Sequence, residues 1–203
     1  MSKIVIIGSG GLAADIITCF ENSDSGINQR LNIKGHIDYQ HNIEKFWKRY
    51  HFDKPVLDDI DNYNFNDQEY YVIGMSDKKK KKMMIQKVKE KGGNFINLIH
   101  PTAIVDKKAV IGTGNIIFPY CYIGRNTQIG DFNVIMLQST VGHDNILGNN
   151  NFIGSTILAG HVKVGNDNFF GIRSTVIPHI KIGNRNTMQA GMVVNENITD
   201  DSL

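Results

Sequence analysis

Two hydrophobic periodicities run along the chain and change over at His100-Pro101. From Lys3 to about Leu98, short apolar runs alternate with stretches of helical spacing: KIVIIG, a helix from Gly11 to Glu21, then KGHID. This order predicts a βαβ unit. EYYVIG continues it as a strand, Asp77 to Lys91 as a helix and NFINLI as a returning strand. The expected result is a small three-layer α/β domain on a parallel sheet. Tyr39 to Asn66 mixes polar and aromatic residues without a clear period and predicts no element.

After the junction a large apolar residue recurs every six positions, from Ile99 through Val105, Ile111 and Ile117 to Ile153. One residue is then skipped, and the series resumes at Leu158 and continues by sixes to Val194. Glycine follows the apolar residue nine times, and the position two before it is often asparagine or another small residue, as turns require. One inward residue per hexapeptide makes each repeat a flat side with its corner, so three repeats close a triangular coil. The pattern predicts an all-β, left-handed parallel β-helix over 99–203, preceded by a Rossmann-like α/β domain over 1–98.

Because coils stack at strand spacing, residues one coil apart in register become neighbours. The histidines 143, 161 and 179 are evenly spaced and first suggest a metal column. The skipped residue alters that. His143 has Gly160 and then Pro178 in its column, and Asp144 has His161 and His179. A zinc site remains an alternative use of the imidazoles, but the reading adopted has no metal. His143 followed by Asp144 is the constellation of a general base whose carboxylate partner fixes its tautomer. A glycine N–H one coil away, at Gly160, can donate to a developing oxyanion. His161 is expected beside this pair and His100-Pro101 in a structural role.

Net charge is +2, from 22 basic and 20 acidic residues, which gives no field for nucleic acid or an anionic membrane. Cys19 and Cys121 are too few for a disulfide framework. With no signal-peptide pattern after MSK and no stretch long enough to span a bilayer, the expected location is the cytoplasm, without membrane insertion.

At the N-terminus, Gly8-Ser9-Gly10-Gly11-Leu12-Ala13 follows a strand and opens a helix, with Asp38 ending the next strand. Small residues there let a backbone approach phosphate, and the helix N-terminus favours an anion. NAD is one reading. Roughly 95 residues leave little room for a second mononucleotide-binding half, so a nucleoside-diphosphate sugar is the better fit. Tight strand-to-helix packing alone is the plain alternative. The lysines at 78–82 read as a solvated face with phosphate contact as the lesser option.

GSGGLAADI, GHID, VIGMSD, NLIHPTAIV, VGHDNILG, LAGHVKVG and FFGIRSTVIP together resemble the hexapeptide-repeat acyltransferases, specifically the sialic acid O-acetyltransferases and bacterial nucleotide-sugar N-acetyltransferases. The resemblance implies a homotrimer that binds acetyl-coenzyme A between neighbouring β-helices and a UDP-linked amino sugar on the N-terminal domain, for surface-glycan synthesis. It implies His143 as base and Asp144 as its partner, with Gly160, Ile172 and Ala190 contacting acetyl-coenzyme A. It also implies that Gly8, Gly10, Gly11, Leu12, Asp38 and Tyr39 bind the sugar nucleotide. Two departures stand out: Phe152 where some relatives carry a second histidine, and an ending NENITDDSL in place of Gly-x-Pro-Ala-Lys. The competing readings are O-acetylation of a sugar hydroxyl and a trimer that binds nucleotide sugar without turning it over.

Overall fold

The computed structural model describes residues 3–21 and 32–203, in two compact units, Met1–Ile96 and Asn97–Leu203. In the first unit, β1 (Lys3–Ile7), β2 (Ile33–Asp38), β3 (Val56–Asp59), β4 (Glu69–Ile73) and β5 (Asn94–Phe95) form one parallel sheet in the order β3-β2-β1-β4-β5. β1 is central, and Val5, Ile6 and Ile7 are completely buried, which is why the strand is an unbroken apolar run rather than an alternating one. The helices are α1 (Gly11–Glu21), α2 (Gln40–Tyr50) and α3 (Lys78–Glu90). From β1 the chain moves to one side for β2 and β3, then returns to the other for β4. The strand order therefore reverses between β1 and β4, where the loops diverge and leave a crevice.

Two elements occupy the stretch that predicted none. α2 buries Ile43 and half-buries Phe46, and its first N–H, on Gln40, is held by Asp59 Oδ2 at 2.7 Å, a partner nineteen residues away. NFINLI is not one strand. Asn94 and Phe95 pair with β4, whereas Leu98 and Ile99 pair with Ile116 and Ile117, so the unit boundary falls between residues 96 and 97.

The second unit is a left-handed β-helix of two-residue strands stacked into three parallel sheets of six, five and six strands. Its register is the apolar column: Ile123 pairs with Val141, Val141 with Leu158 and Leu158 with Val176, straight across the shortened repeat. From Ile117 to Val194 every column residue is buried. From Gly114 to Gly191 each corner turns on one residue in the left-handed region, among them Tyr120, Asn126, Phe132, Asp144, His161, Arg173 and His179, with φ between 57° and 67°. Such a residue costs about 1 kcal/mol when it is not glycine. At most of these corners its N–H reaches a carbonyl of the preceding coil, as from Asp144 to Arg125 at 2.8 Å and from His161 to His143 at 3.0 Å, whereas Tyr120 N donates to Thr102 Oγ1 at 3.1 Å. After Ile153 the corner is one residue shorter, and Ser155 takes the left-handed position.

Inside one corner runs a buried asparagine ladder, Asn115, Asn133, Asn151, Asn168 and Asn186. Each Oδ1 accepts the backbone N–H of the next asparagine, at 2.8–2.9 Å, and the Nδ2 of Asn151 donates to Gly165 O at 3.0 Å. Asn151→Ala leaves the Asn168 N–H and the Gly165 carbonyl without partners, at about 1–3 kcal/mol each. Its denaturant midpoint should fall accordingly, while exposed Gln128→Ala stays within about 0.5 kcal/mol of the parent. Equal midpoints for the two variants would mean that the ladder is dispensable.

Candidate active site

The left-handed corner at Asp144 assembles the predicted constellation. With φ at 57°, Asp144 turns its carboxylate back along the coil, and Oδ2 lies 2.7 Å from His143 Nδ1. Asn126, one coil earlier in the same column, donates from Nδ2 to Asp144 Oδ1 at 3.1 Å. The hydrogen bond from His143, then that from Asn126, and the field of His161 hold the Asp144 carboxyl below the ordinary carboxylate range. It stays ionised wherever an imidazole titrates.

Gly160 lies one coil on from His143, as the column rule requires. A Cβ built there would stand 2.7 Å from His143 Nε2 and 2.8 Å from Cε1, so the imidazole sits over the glycine Cα. The Gly160 carbonyl accepts from His179, whereas its N–H has no partner among the described residues. Those two facts explain the residue type: a side chain would displace the ring, and the N–H is open to a ligand. His161 packs edge-on against His143 with ring centroids 5.1 Å apart, and its Nε2 is 3.9 Å from Asp144 Oδ2. His179 stacks on His161 at 4.9 Å.

Ile172 and Ala190 lie together on an apolar groove of about 550 Å³ that also includes Leu137, Phe152, Phe169 and Met188. Phe152 is stacked on Phe169, with centroids 5.1 Å apart and planes 12° from parallel. The position expected to carry an imidazole therefore supplies half of an aromatic wall. His100 is buried and closes its own turn through Thr102, whose Oγ1 is 2.8 Å from Nδ1.

In the first unit, Gly8, Gly10, Gly11, Leu12 and Asp38 line a pocket of about 340 Å³ at the crevice between the ends of β1 and β4. Gly8, at φ 123°, admits the close approach of these ends, because a Cβ there would meet Gly74 O at 2.7 Å. Asp38 is 3% exposed, and four donors occupy its oxygens: Ser9 N and Oγ at 2.8 and 2.7 Å, Tyr39 N at 2.8 Å and Asn42 Nδ2 at 2.9 Å. It shapes the glycine loop and has little capacity left for a ligand. Tyr39 is placed outside the pocket, against the core of the unit and stacked on His41 at 5.8 Å.

The pocket also contains Lys45, which the sequence did not single out, and Lys80 of the lysine run, for which phosphate contact was the lesser option. Lys45 and Lys80 line it, and neither is paired with a carboxylate among the described residues. Asp77 caps α3 by accepting from Lys79 N and Lys80 N at 2.9 and 3.0 Å, so the N-termini of α1 and α3 both open on the crevice. The lysine run is thus not uniformly solvated, since Lys80 faces the pocket and Lys81 is 5% exposed. Asn126 was available from the eighteen-residue column rule. Lys45 belongs to no motif and carried no signal of its own.

No protein-family model matches the chain, and no curated protein matches it significantly. Solved structures do. PerB from Caulobacter crescentus, in complex with CoA and GDP-perosamine, is 25% identical with a TM-score of 0.84, over 99% of this chain and 92% of that one. The acetyltransferase domain of PglB from Neisseria gonorrhoeae, in complex with acetyl coenzyme A, is 18% identical with a TM-score of 0.79, over 100% and 94%. WeeI from Acinetobacter baumannii is 15% identical with a TM-score of 0.79, over 99% and 95%. In fold, in hexapeptide repeat and over nearly its whole length, the chain is similar to the hexapeptide-repeat sugar N-acetyltransferases.

Proposed function

We propose that this protein transfers an acetyl group directly from acetyl-coenzyme A to the amine of a nucleoside-diphosphate amino sugar, with His143 as general base. The observation that carries this reading is the His143–Asp144 pair at 2.7 Å, with the imidazole lying over Gly160. Asp144 accepts a hydrogen bond from the Nδ1–H, which leaves the lone pair on Nε2. As the amine nitrogen attacks the thioester carbonyl, Nε2 takes its proton and the carbonyl electrons move onto oxygen. The Gly160 N–H donates to that oxyanion. Collapse of the adduct breaks the C–S bond, and the departing thiolate takes the proton from the imidazolium. Little else is demanded of the protein.

The apolar groove with Ile172 and Ala190 suits the pantetheine arm of acetyl-coenzyme A, with the Phe152–Phe169 stack as its wall. In the N-terminal unit, the backbone of Gly8, Gly10, Gly11 and Leu12 faces the diphosphate, and Asp38 holds that loop in shape. UDP is the nucleotide of this reading, and the GDP-perosamine bound by PerB makes GDP the comparison. Residues 1–98 act as the nucleotide-sugar-binding domain and 99–203 as the acyltransferase domain of a cytoplasmic homotrimer serving surface-glycan synthesis.

His143→Ala should lower kcat by about 10²–10⁴-fold with the circular dichroism spectrum unchanged; an unchanged kcat removes the base from the mechanism. Assays with UDP- and GDP-linked amino sugars, and with a sugar hydroxyl as acceptor, measured by thiol release, test the acceptor directly. Turnover of the hydroxyl acceptor alone would replace N- by O-acetylation.

Gly160→Ala should cost about tenfold or more in kcat, because the added methyl must push the imidazole off its position. The pH profile of kcat/KM should show an ascending limb, since a base must be unprotonated to act. Asp144→Asn removes the carboxylate that holds the His143 tautomer, so kcat should fall. An unchanged kcat in Asp144→Asn would contradict the pairing.

A further inference from the structure

Two imidazoles crowd one carboxylate at this corner, and a third stacks behind them. The same Asp144 oxygen, Oδ2, stands 2.7 Å from His143 Nδ1 and 3.9 Å from His161 Nε2. One potential ligand atom from each of the three residues lies within 4.8 Å of the others. His179 backs His161 by stacking at 4.9 Å and 8°, which limits how far that ring can turn away. The side chains of His143, Asp144 and His161 are 59%, 37% and 48% exposed, so a hydrated ion reaches them and can keep a water in its fourth position.

Two imidazole nitrogens and a carboxylate oxygen form a donor set suited to zinc. Bonds of about 2.0–2.2 Å place tetrahedral ligand atoms about 3.3 Å apart. The His143–Asp144 edge must therefore open, and the Asp144–His161 edge close, by about 0.6 Å each. Exposed side chains make such changes by small χ rotations.

We propose that His143, Asp144 and His161 form an inhibitory zinc site. Its inhibitory meaning rests on the reading of His143 as the base. Zinc requires the Nδ1 lone pair, so the neutral ring must give up its Nδ1 proton and carry one on Nε2 instead, by exchange with solvent. Asp144 trades a hydrogen bond for a metal bond. The atom that should accept the proton of the attacking amine is then already protonated, and transfer stops. Magnesium and calcium, which select oxygen ligands, leave the corner untouched.

The test uses full-length protein freed of metal by a chelator. Zinc binding is measured by competition with a chromogenic chelator, and acetyl transfer is assayed at buffered free zinc. The wild type should take up one zinc per chain and lose activity in step with occupancy, with magnesium ineffective. His161→Ala and His143→Ala should each weaken zinc binding about tenfold or more, and the half-inhibitory zinc concentration of His161→Ala should rise by the same factor. Absence of stoichiometric binding, equal binding by His161→Ala and wild type, or activity that requires zinc overturns the proposal. Zinc bound through these three residues in a chain that transfers no acetyl group, with or without metal, upholds the site and overturns the reading of His143 as a base.

Discussion

The backbone N–H of the left-handed corner residues, donated at most corners to the coil before, is the interaction on which the β-helix unit depends. Each such residue costs about 1 kcal/mol of backbone strain, comparable with the net worth of one hydrogen bond. The corner geometry persists because these two terms nearly balance. It is also what places Asp144 in line with Asn126 before it and His161 after it. The side-chain constellation at the Asp144 corner is a consequence of stacking: residues far apart in sequence become neighbours through the length of a coil, and one missing residue changes the neighbours of all that follow.

That single omission, after Ile153, decides how the histidines are used. With full-length repeats throughout, His143, His161 and His179 would share one column. With the corner at Ser155 shortened, His143 instead lies over Gly160, and His161 falls in line with Asp144. The same shift leaves one carboxylate oxygen between two imidazoles, an arrangement able to hold either a proton or a metal ion.

Where one period ruled the local structure, the sequence was readable. The apolar column, the glycine and asparagine corner positions and the neighbours of His143 all follow from a repeat whose only ambiguity was the skipped residue. Legibility failed where local pattern gave way to distant partners. α2 is the exception, since Ile43, Phe46, Trp47 and Tyr50 stand at the helical spacing i, i+3, i+4, i+7 and give a local signal that the polar residues around them obscure, while Asp59, in another element, holds its first N–H. Asp38 read as a ligand contact because an acid at a strand end is visible in sequence, whereas the four donors that consume its oxygens are not. Lys45 and Lys80 reach the crevice from two different helices, a convergence that only the β1–β4 reversal creates.

The central claim is that an acceptor amine meets an imidazole base at the Asp144 corner. The most direct measurement is a crystal structure of the full chain with coenzyme A and an amino-sugar nucleotide bound together. The account predicts the sugar amine within about 3 Å of His143 Nε2, with the coenzyme A sulfur beside the Gly160 N–H. A sugar amine held away from His143, against some other side chain, would contradict it.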